Sequence, residues 1–180
     1  MTSTTLSLIS QNIDLTTGVV SDTHDNLEKT EEAVDFFEGK DIETVIHCGD
    51  MVAPFTAELF DASFEFHAVR GNNDGEWNLK QVVEDFGNFY NNIAELEIDG
   101  ESICVYHGTE EEIVQGLVEK DYDYVFRGHT HRKKIKEHGE TVEVNPGGIE
   151  LPSQSEKFHI AVVDLNHGSI QHFSLEDLPE

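Results

Sequence analysis

Apolar and polar positions change their period several times along this chain, and each change marks an element. TTGVVSD, residues 16–22, ends an apolar run at a turn. NLEKTEEAVDFFEGK then sets Leu27, Ala33, Val34 and Phe37 at helical spacing with acids between them, the pattern of an amphipathic helix. The alternation repeats, with ETVIHCGD as a strand entering a turn and APFTAELFDA as a short helix. SFEFHAVRGNND is a third strand, running into a glycine turn, and a helix follows around WNLKQVVEDFG. Three such alternations predict parallel strands joined by right-handed crossovers.

The period then shortens to two. NIAELEIDGESICVYHG holds two alternating runs around Asp99-Gly100, which predicts an antiparallel hairpin. A helix, EEIVQGLVEK, and a strand, YDYVFRG, come next. RKKIKEHGETVEVNPGG and KFHIAVVDLNHGSIQHFSL read as two further hairpin-like pairs turning at HGE and NHG. The elements together predict one α/β domain with a mixed, two-layered sheet system. Residues 1–13, MTSTTLSLISQNI, stand apart as an extension, either a disordered arm, a short extra strand or an over-long start. They carry no basic segment and no long apolar stretch, so they are not read as a secretory signal.

Composition narrows the setting. A chain of 180 residues with 37% apolar positions and eleven Phe can bury a real core. Against 37 Asp and Glu stand 11 Lys and Arg, a formal charge of −26. Repulsion of that size loosens a compact state unless salt or bound cations screen it. Two readings follow: an acidic surface that serves ordinary solubility, or a halophilic host in which ~1 M salt shortens the Debye length to about 3 Å. So acidic a chain is not expected to bind nucleic acid over a broad face. No stretch of about 18 apolar residues suggests a membrane span. Cys48 and Cys104 lie inside apolar strand-like runs and read as reduced, buried thiols of a cytoplasmic protein.

The unusual residues fall in one kind of place. Asp22 and His24 follow the first predicted strand, Asp50 the second and Asn72 the third. His107 ends a strand of the first hairpin, and His129 with His131, in RGHTHR, ends the strand after it. Histidines two apart converge only on extended backbone, not on a helix. Carboxyl ends of strands are where the loops of α/β sheets meet and binding sites gather. Singly, each residue has a plain reading: a helix cap for Asp22, a turn for Asp50 or Asn72, a strand end for His107. Together, two carboxylates, four imidazoles and one amide suit two divalent ions of borderline softness, Mn²⁺, Fe²⁺, Co²⁺, Ni²⁺ or Zn²⁺, better than Mg²⁺ or Ca²⁺. Two ions with Asp22, Asp50 and a bridging hydroxide keep a net charge of about +1, enough to attract an anion. A metal pair roughly 3.5–4 Å apart generates hydroxide at neutral pH and clamps a phosphoryl group, so phosphate ester hydrolysis is its natural use.

Other residues carry two readings. Arg70, Arg127 and Arg132 are all the arginines, and Lys133, Lys134 and Lys136 follow the last of them. They either recognise a substrate phosphate, or pair with local carboxylates while the lysines protect a hairpin edge. His47 and His67 read as inward strand residues near the site, and His138, His159, His167 and His172 as surface or tail residues.

SDTHDN, HCGD, RGNND, YHG, RGHTH and NPGG, in that order from about Val19 to Gly148, resemble the motifs of the calcineurin-like metallophosphoesterase superfamily, specifically its small archaeal and bacterial phosphodiesterases. The resemblance implies a four-layer αββα sandwich over residues 14–180, with mixed sheets flanked by helices. It implies one metal on Asp22, His24 and His131, another on Asn72, His107 and His129, and Asp50 bridging them, with Mn²⁺ the foremost choice. Asp50, Asn72 and Asn73 take the catalytic positions, and a metal-bridging hydroxide attacks a small or nucleotide-like phosphodiester. One departure matters: many relatives carry a histidine where this chain has Asn73. An amide delivers no proton near neutral pH, so general-acid help, typically about 10²–10⁴-fold, is missing or comes from elsewhere. Modest rates and a preference for diesters over alkyl monoesters are expected. Two alternatives remain: a phosphomonoesterase, and a protein-binding scaffold such as the retromer subunit of the same fold. The expected partner is a small-molecule phosphate ester, and self-association into a homo-oligomer is left open.

Overall fold

The computed structural model describes residues 16–149 and 158–177, so the extension expected at 1–13 lies outside the described residues. The first half alternates as the pattern predicts: β1 (Thr16–Val20), α1 (Leu27–Gly39), β2 (Thr44–His47), α2 (Pro54–Ala57) continued by a 3-10 turn (Glu58–Phe60), β3 (Glu65–Val69) and α3 (Leu79–Glu84). Then come β4 (Asn88–Tyr90), β5 (Ile93–Ile98), β6 (Glu101–Tyr106), α4 (Glu111–Val118) and β7 (Tyr124–Phe126). β8 (Lys134–His138), β9 (Thr141–Asn145), β10 (His159–Asp164), β11 (Ser169–Ser174) and a 3-10 turn (Leu175–Asp177) finish the described chain.

Two mixed sheets result. The first has the order β11-β10-β1-β2-β3-β4 and the second β5-β6-β7-β9-β8. β1 through β4 run parallel, while β10 joins β1 antiparallel and β11 closes that edge. In the second sheet β6, β7 and β9 run parallel, with β5 and β8 antiparallel at the edges.

Alternation along each strand sends its side chains into two different cores. Val19, Ile46 and Val69 pack with Ile103, Val105, Phe126 and Val144 between the sheets. Their neighbours Val20, Val45 and Ala68 face the other way, onto Phe37 of α1, Phe60, and Leu79 and Val83 of α3. Cys104 and Val125 meet Val114, Leu117 and Val118 of α4 on the outer side of the second sheet. The layers therefore run helix, sheet, sheet, helix, and mixed sheets with helices outside are what the sequence predicts. α1 lies so close to β1 that a Cβ at Gly18 would come within 2.7 Å of the Phe37 ring. Truncating Phe37 to Ala there should cost about 3–5 kcal/mol.

Three local expectations change. Leu27 is 40% exposed, and Thr30 joins Ala33, Val34 and Phe37 on the buried stripe of α1. Leu27 opens the helix, one turn before the stripe meets the sheet. The cap of α1 is Asn26, whose side chain accepts from Lys29 N at 3.3 Å, so Asp22 is left for other work. β4 has no counterpart in the predicted elements. Three residues are too few to show a period, and it exists because the edge of β3 offers it partners from His67 to Val69. Both cysteines are buried thiols.

Candidate metal centre

All seven candidate ligands sit just beyond strand ends, and the two sheets bring those ends to one rim. The loops after β1, β2 and β3 carry Asp22 and His24, Asp50, and Asn72; those after β6 and β7 carry His107, and His129 with His131. Backbone bonds tie loop to loop: Asp22 N donates to Gly49 O (3.0 Å), His24 N to Asp50 O (3.1 Å), and Gly128 N to His107 O (2.9 Å). Five of the seven, Asp22, His24, Asp50, His129 and His131, have positive φ, from 41° to 66°. Non-glycine residues rarely adopt that region, and its clustering is a mark of a functional site. Glycine is required where backbones touch: a Cβ on Gly71 would overlap the carboxylate and amide of Asp50, and one on Gly128 would overlap the Ser21 hydroxyl.

The side chains converge in two groups, Asp22 with His24 and His131, and Asp22 with Asp50 and His107, each with ligand atoms within 4.8 Å of one another. His131 Nε2 stands 3.2 Å and His24 Nε2 3.8 Å from Asp22 Oδ1, a buried oxygen that receives no hydrogen bond among the described residues. Asp22 Oδ2 accepts from His129 N at 3.0 Å. The rings of His107 and His129 lie 5.1 Å apart, and those of His24 and His131 5.3 Å.

His107 is the most informative member. Its Nδ1 lies 2.8 Å from Cys48 O, a carbonyl that can only accept, so Nδ1 carries the proton. In the neutral ring Nε2 is then a lone pair, and it faces two more acceptors, Asn72 Oδ1 at 3.0 Å and Asp50 Oδ2 at 3.3 Å. Three lone pairs directed at one another need a cation between them, either a proton or a metal ion. Burial opposes charging His107, but the carboxylates of Asp50 and Asp22 and the Cys48 carbonyl raise it above the ordinary histidine value. Burial likewise works against the anionic form of Asp22, yet His131, His24 and His107 hold that carboxyl well below the usual range. Asp50 is also lowered, against burial, by His107 and Asn73. For His129 burial and the neighbouring His107 lower the value, leaving a neutral ring able to bind an ion. The donor set is thus ionised carboxylates and imidazole lone pairs, which fits divalent ions.

Residues behind the ligands fix them. Asn73 donates to both oxygens of Asp50, from its backbone N at 2.7 Å and from Nδ2 at 2.8 Å. Asp74 is buried, and its carboxylate accepts from Gly71 N (2.7 Å), Val52 N (2.7 Å) and Asp50 N (3.0 Å). Asp25 Oδ1 binds Ala53 N at 3.0 Å and Thr56 Oγ1 at 2.6 Å, joining the β1 loop to α2. Neither aspartate is singled out by the sequence pattern; both read as ordinary turn residues in an acidic chain, and their positions one and two after ligand motifs are the only signal. His47 Nδ1 accepts from Gly49 N (3.0 Å), so its Nε2 donates to Thr23 Oγ1 (3.2 Å), and burial drives its value down to about 3. It is a neutral strut beneath the site. His67 lies elsewhere, between Tyr90 Oη and Glu65 on the strand edge.

The arginines divide. Arg127 is buried, with Nη1 at 2.7 Å from Glu111 and 3.6 Å from Glu143, and Nη2 donating to Gly108 O at 3.2 Å. It braces the loops of His107 and His129 and pairs with local carboxylates. Arg70 Nε donates to Asp74 O at 3.0 Å. Lys134 and Lys136 lie on β8, an edge strand, and Lys134 binds Glu143 at 2.8 Å. Such placement protects an exposed edge.

Residues 15–168 match the calcineurin-like phosphoesterase superfamily domain. A phosphodiesterase of Methanocaldococcus jannaschii, MJ0936, is 35% identical over 135 residues, 72% of this chain and 81% of that protein. The solved structure of an archaeal phosphodiesterase superposes with a TM-score of 0.83 at 30% identity, covering 89% of this chain and 99% of that one. Vps29 from Entamoeba histolytica, solved with zinc, shares the fold at a TM-score of 0.65 and 19% identity, over 92% of this chain and 95% of that one. No helix among the described residues is long and apolar enough to cross a membrane. With motifs, rim geometry and relatives in agreement, the chain belongs to the calcineurin-like phosphoesterase superfamily and is a phosphoester hydrolase.

Proposed function

We propose that this protein is a divalent-metal-dependent phosphodiesterase acting on small or nucleotide-like diesters. The observation that carries the reading is the convergence of His107 Nε2, Asn72 Oδ1 and Asp50 Oδ2, three atoms that can each offer a lone pair to one divalent ion, beside Asp22, His24 and His131. Asp22, His24 and His131 would hold one ion, and Asn72, His107 and His129 the other, with Asp50 between them. Mn²⁺ is the first choice, since a mixed imidazole, carboxylate and amide set suits ions of borderline softness, with Ni²⁺, Co²⁺, Fe²⁺ and Zn²⁺ as alternatives. Bound there, the pair supplies an activated water at neutral pH and positive charge for the phosphoryl oxygens.

The chain's own residues do the rest. Asp50 would be the ligand shared by the two ions, and Asn73 holds its carboxylate from the backbone N and from Nδ2. Asn73 transfers no proton itself, because an amide does not ionise near neutral pH, and its engagement with Asp50 is that of a positioning residue. Leaving groups that depart as stable anions are therefore favoured, and diesters with such groups rank above alkyl monoesters. The test is hydrolysis of bis(p-nitrophenyl) phosphate and p-nitrophenyl phosphate with Mn²⁺, Ni²⁺ and Zn²⁺, in low and high KCl. The diester should be cleaved faster, and only with metal. Turnover of neither ester under any condition would point to a binding scaffold of the same fold.

A further inference from the structure

Among the described residues, large apolar side chains left exposed are few, and three of them follow the loops that carry candidate ligands. Leu27 opens α1 after His24, Phe55 (51% exposed) lies in the first turn of α2 after Asp50, and Trp77 (87% exposed) lies between Asn72 and α3. We propose that Trp77 is a stacking platform for a planar ring, a nucleobase or aryl group, on the arm of a phosphodiester that stays with the phosphate after cleavage. This rests on the metal-centred hydrolysis argued above.

The exposure of Trp77 is not that of a loose loop. Upstream, Asp74 is locked by three backbone donors from the β2 and β3 loops, and Gly75 N bonds Asn73 O at 2.9 Å. Downstream, Leu79 is 2% exposed and its N bonds Glu76 O at 3.2 Å. The indole is thus held in water five residues from Asn72, on a segment whose ends cannot drift. α2, which carries Phe55 in its first turn, packs against α3, which begins two residues after Trp77. An indole face takes any base, because every base has a π face, and it does so without charge. That suits a chain of net charge −26, which offers few cations for recognition. The reaction assigns the arm: with Asn73 giving no proton, the leaving group is selected by its stability as an anion, so recognition falls to the other substituent.

Two esters with one leaving group isolate the effect: thymidine 5′-(p-nitrophenyl) phosphate and methyl p-nitrophenyl phosphate, each with the Mn²⁺-loaded full chain. In W77A the ratio of kcat/KM for the nucleoside ester to that for the methyl ester should fall by about 5- to 150-fold, the worth of one base–aromatic stack, chiefly through KM. W77F should keep most of the ratio. Trp77 is the sole tryptophan, so its fluorescence reports directly, and thymidine 5′-monophosphate should quench it in the metal-loaded protein. An unchanged ratio in W77A, or no quenching, overturns the platform while leaving hydrolysis of the methyl ester intact as evidence for the enzyme. Emission that shifts to the red on dilution would overturn it too, since a second copy of the chain would then be covering the indole. Should neither ester be cleaved, the enzymatic reading fails, and quenching alone decides whether the platform stands.

Discussion

Replacing Asp74 is the sharpest probe of how the centre is built. Its carboxylate accepts three backbone N–H groups, buried ones from Asp50 and Gly71 and a part-buried one from Val52, and Val52 is a β-branched residue held at φ 78°. Alanine leaves all three donors unmet. An unsatisfied buried donor costs about 1–3 kcal/mol, so the two buried donors alone give at least about 2 kcal/mol, offset in part by any strain released at Val52. Against a typical stability of about 5–15 kcal/mol, Asp74→Ala should fold but unfold at markedly lower urea. Asp74→Asn should fall between, because one oxygen can still serve Asp50 and Gly71 while the amide NH₂ faces the Val52 donor. Urea unfolding of the metal-free proteins measures this, and calorimetric titration with Mn²⁺ measures the site. Ion binding should weaken in the same order, since Asp50 loses its backbone anchor. A loss below about 1 kcal/mol in Asp74→Ala, with Mn²⁺ binding unchanged, would refute the claim that Asp74 holds the Asp50 loop.

Three further outcomes are expected. Asn73→His should raise turnover on diesters with poor leaving groups and flatten the dependence of rate on leaving-group pKa; an unchanged slope would count against the missing acid. His47 is neutral in the fold with its value at about 3, against about 6.5 unfolded, so the unfolded state binds the extra proton between those pH values. Its contribution is complete above about pH 6.5 and is lost as pH falls towards 3, by at most ~1.4 kcal/mol per pH unit; the stability gap between the native chain and His47→Gln should narrow over that window in urea titrations. Finally, with a net charge of −26 the melting temperature of metal-free protein should climb with KCl up to about 1 M, and a flat response would show that self-repulsion is not limiting.

The parts of this molecule legible in the sequence are those that repeat or cluster. Short apolar runs in β1 and β2 and the alternating Ile103 and Val105 of β6 announce the sheets, and Asp22, His24, Asp50, Asn72, His107, His129 and His131 stand out because each follows a strand. Contacts made across the fold are not legible. Nothing in RGNNDG tells that Asp74 turns back to three amides while Asn73 turns to Asp50, since both are common loop residues. Leu27 fits the helical period yet faces water, because period describes direction around a helix and not where the sheet beneath it ends. β4 is invisible for a similar reason, being made by its neighbour's open edge. The positive φ angles of Asp22 and His24 are set by loops meeting, which no local propensity encodes.

Four of the seven rim residues hang from one sheet and three from the other, so the pocket exists only while the sandwich is shut. An ion seated there would be a clasp across the seam, and prying the layers apart would tear it loose. A half-folded chain would have no such seat, and in metal-loaded protein release of the ion should be among the earliest signs that the two leaves are parting.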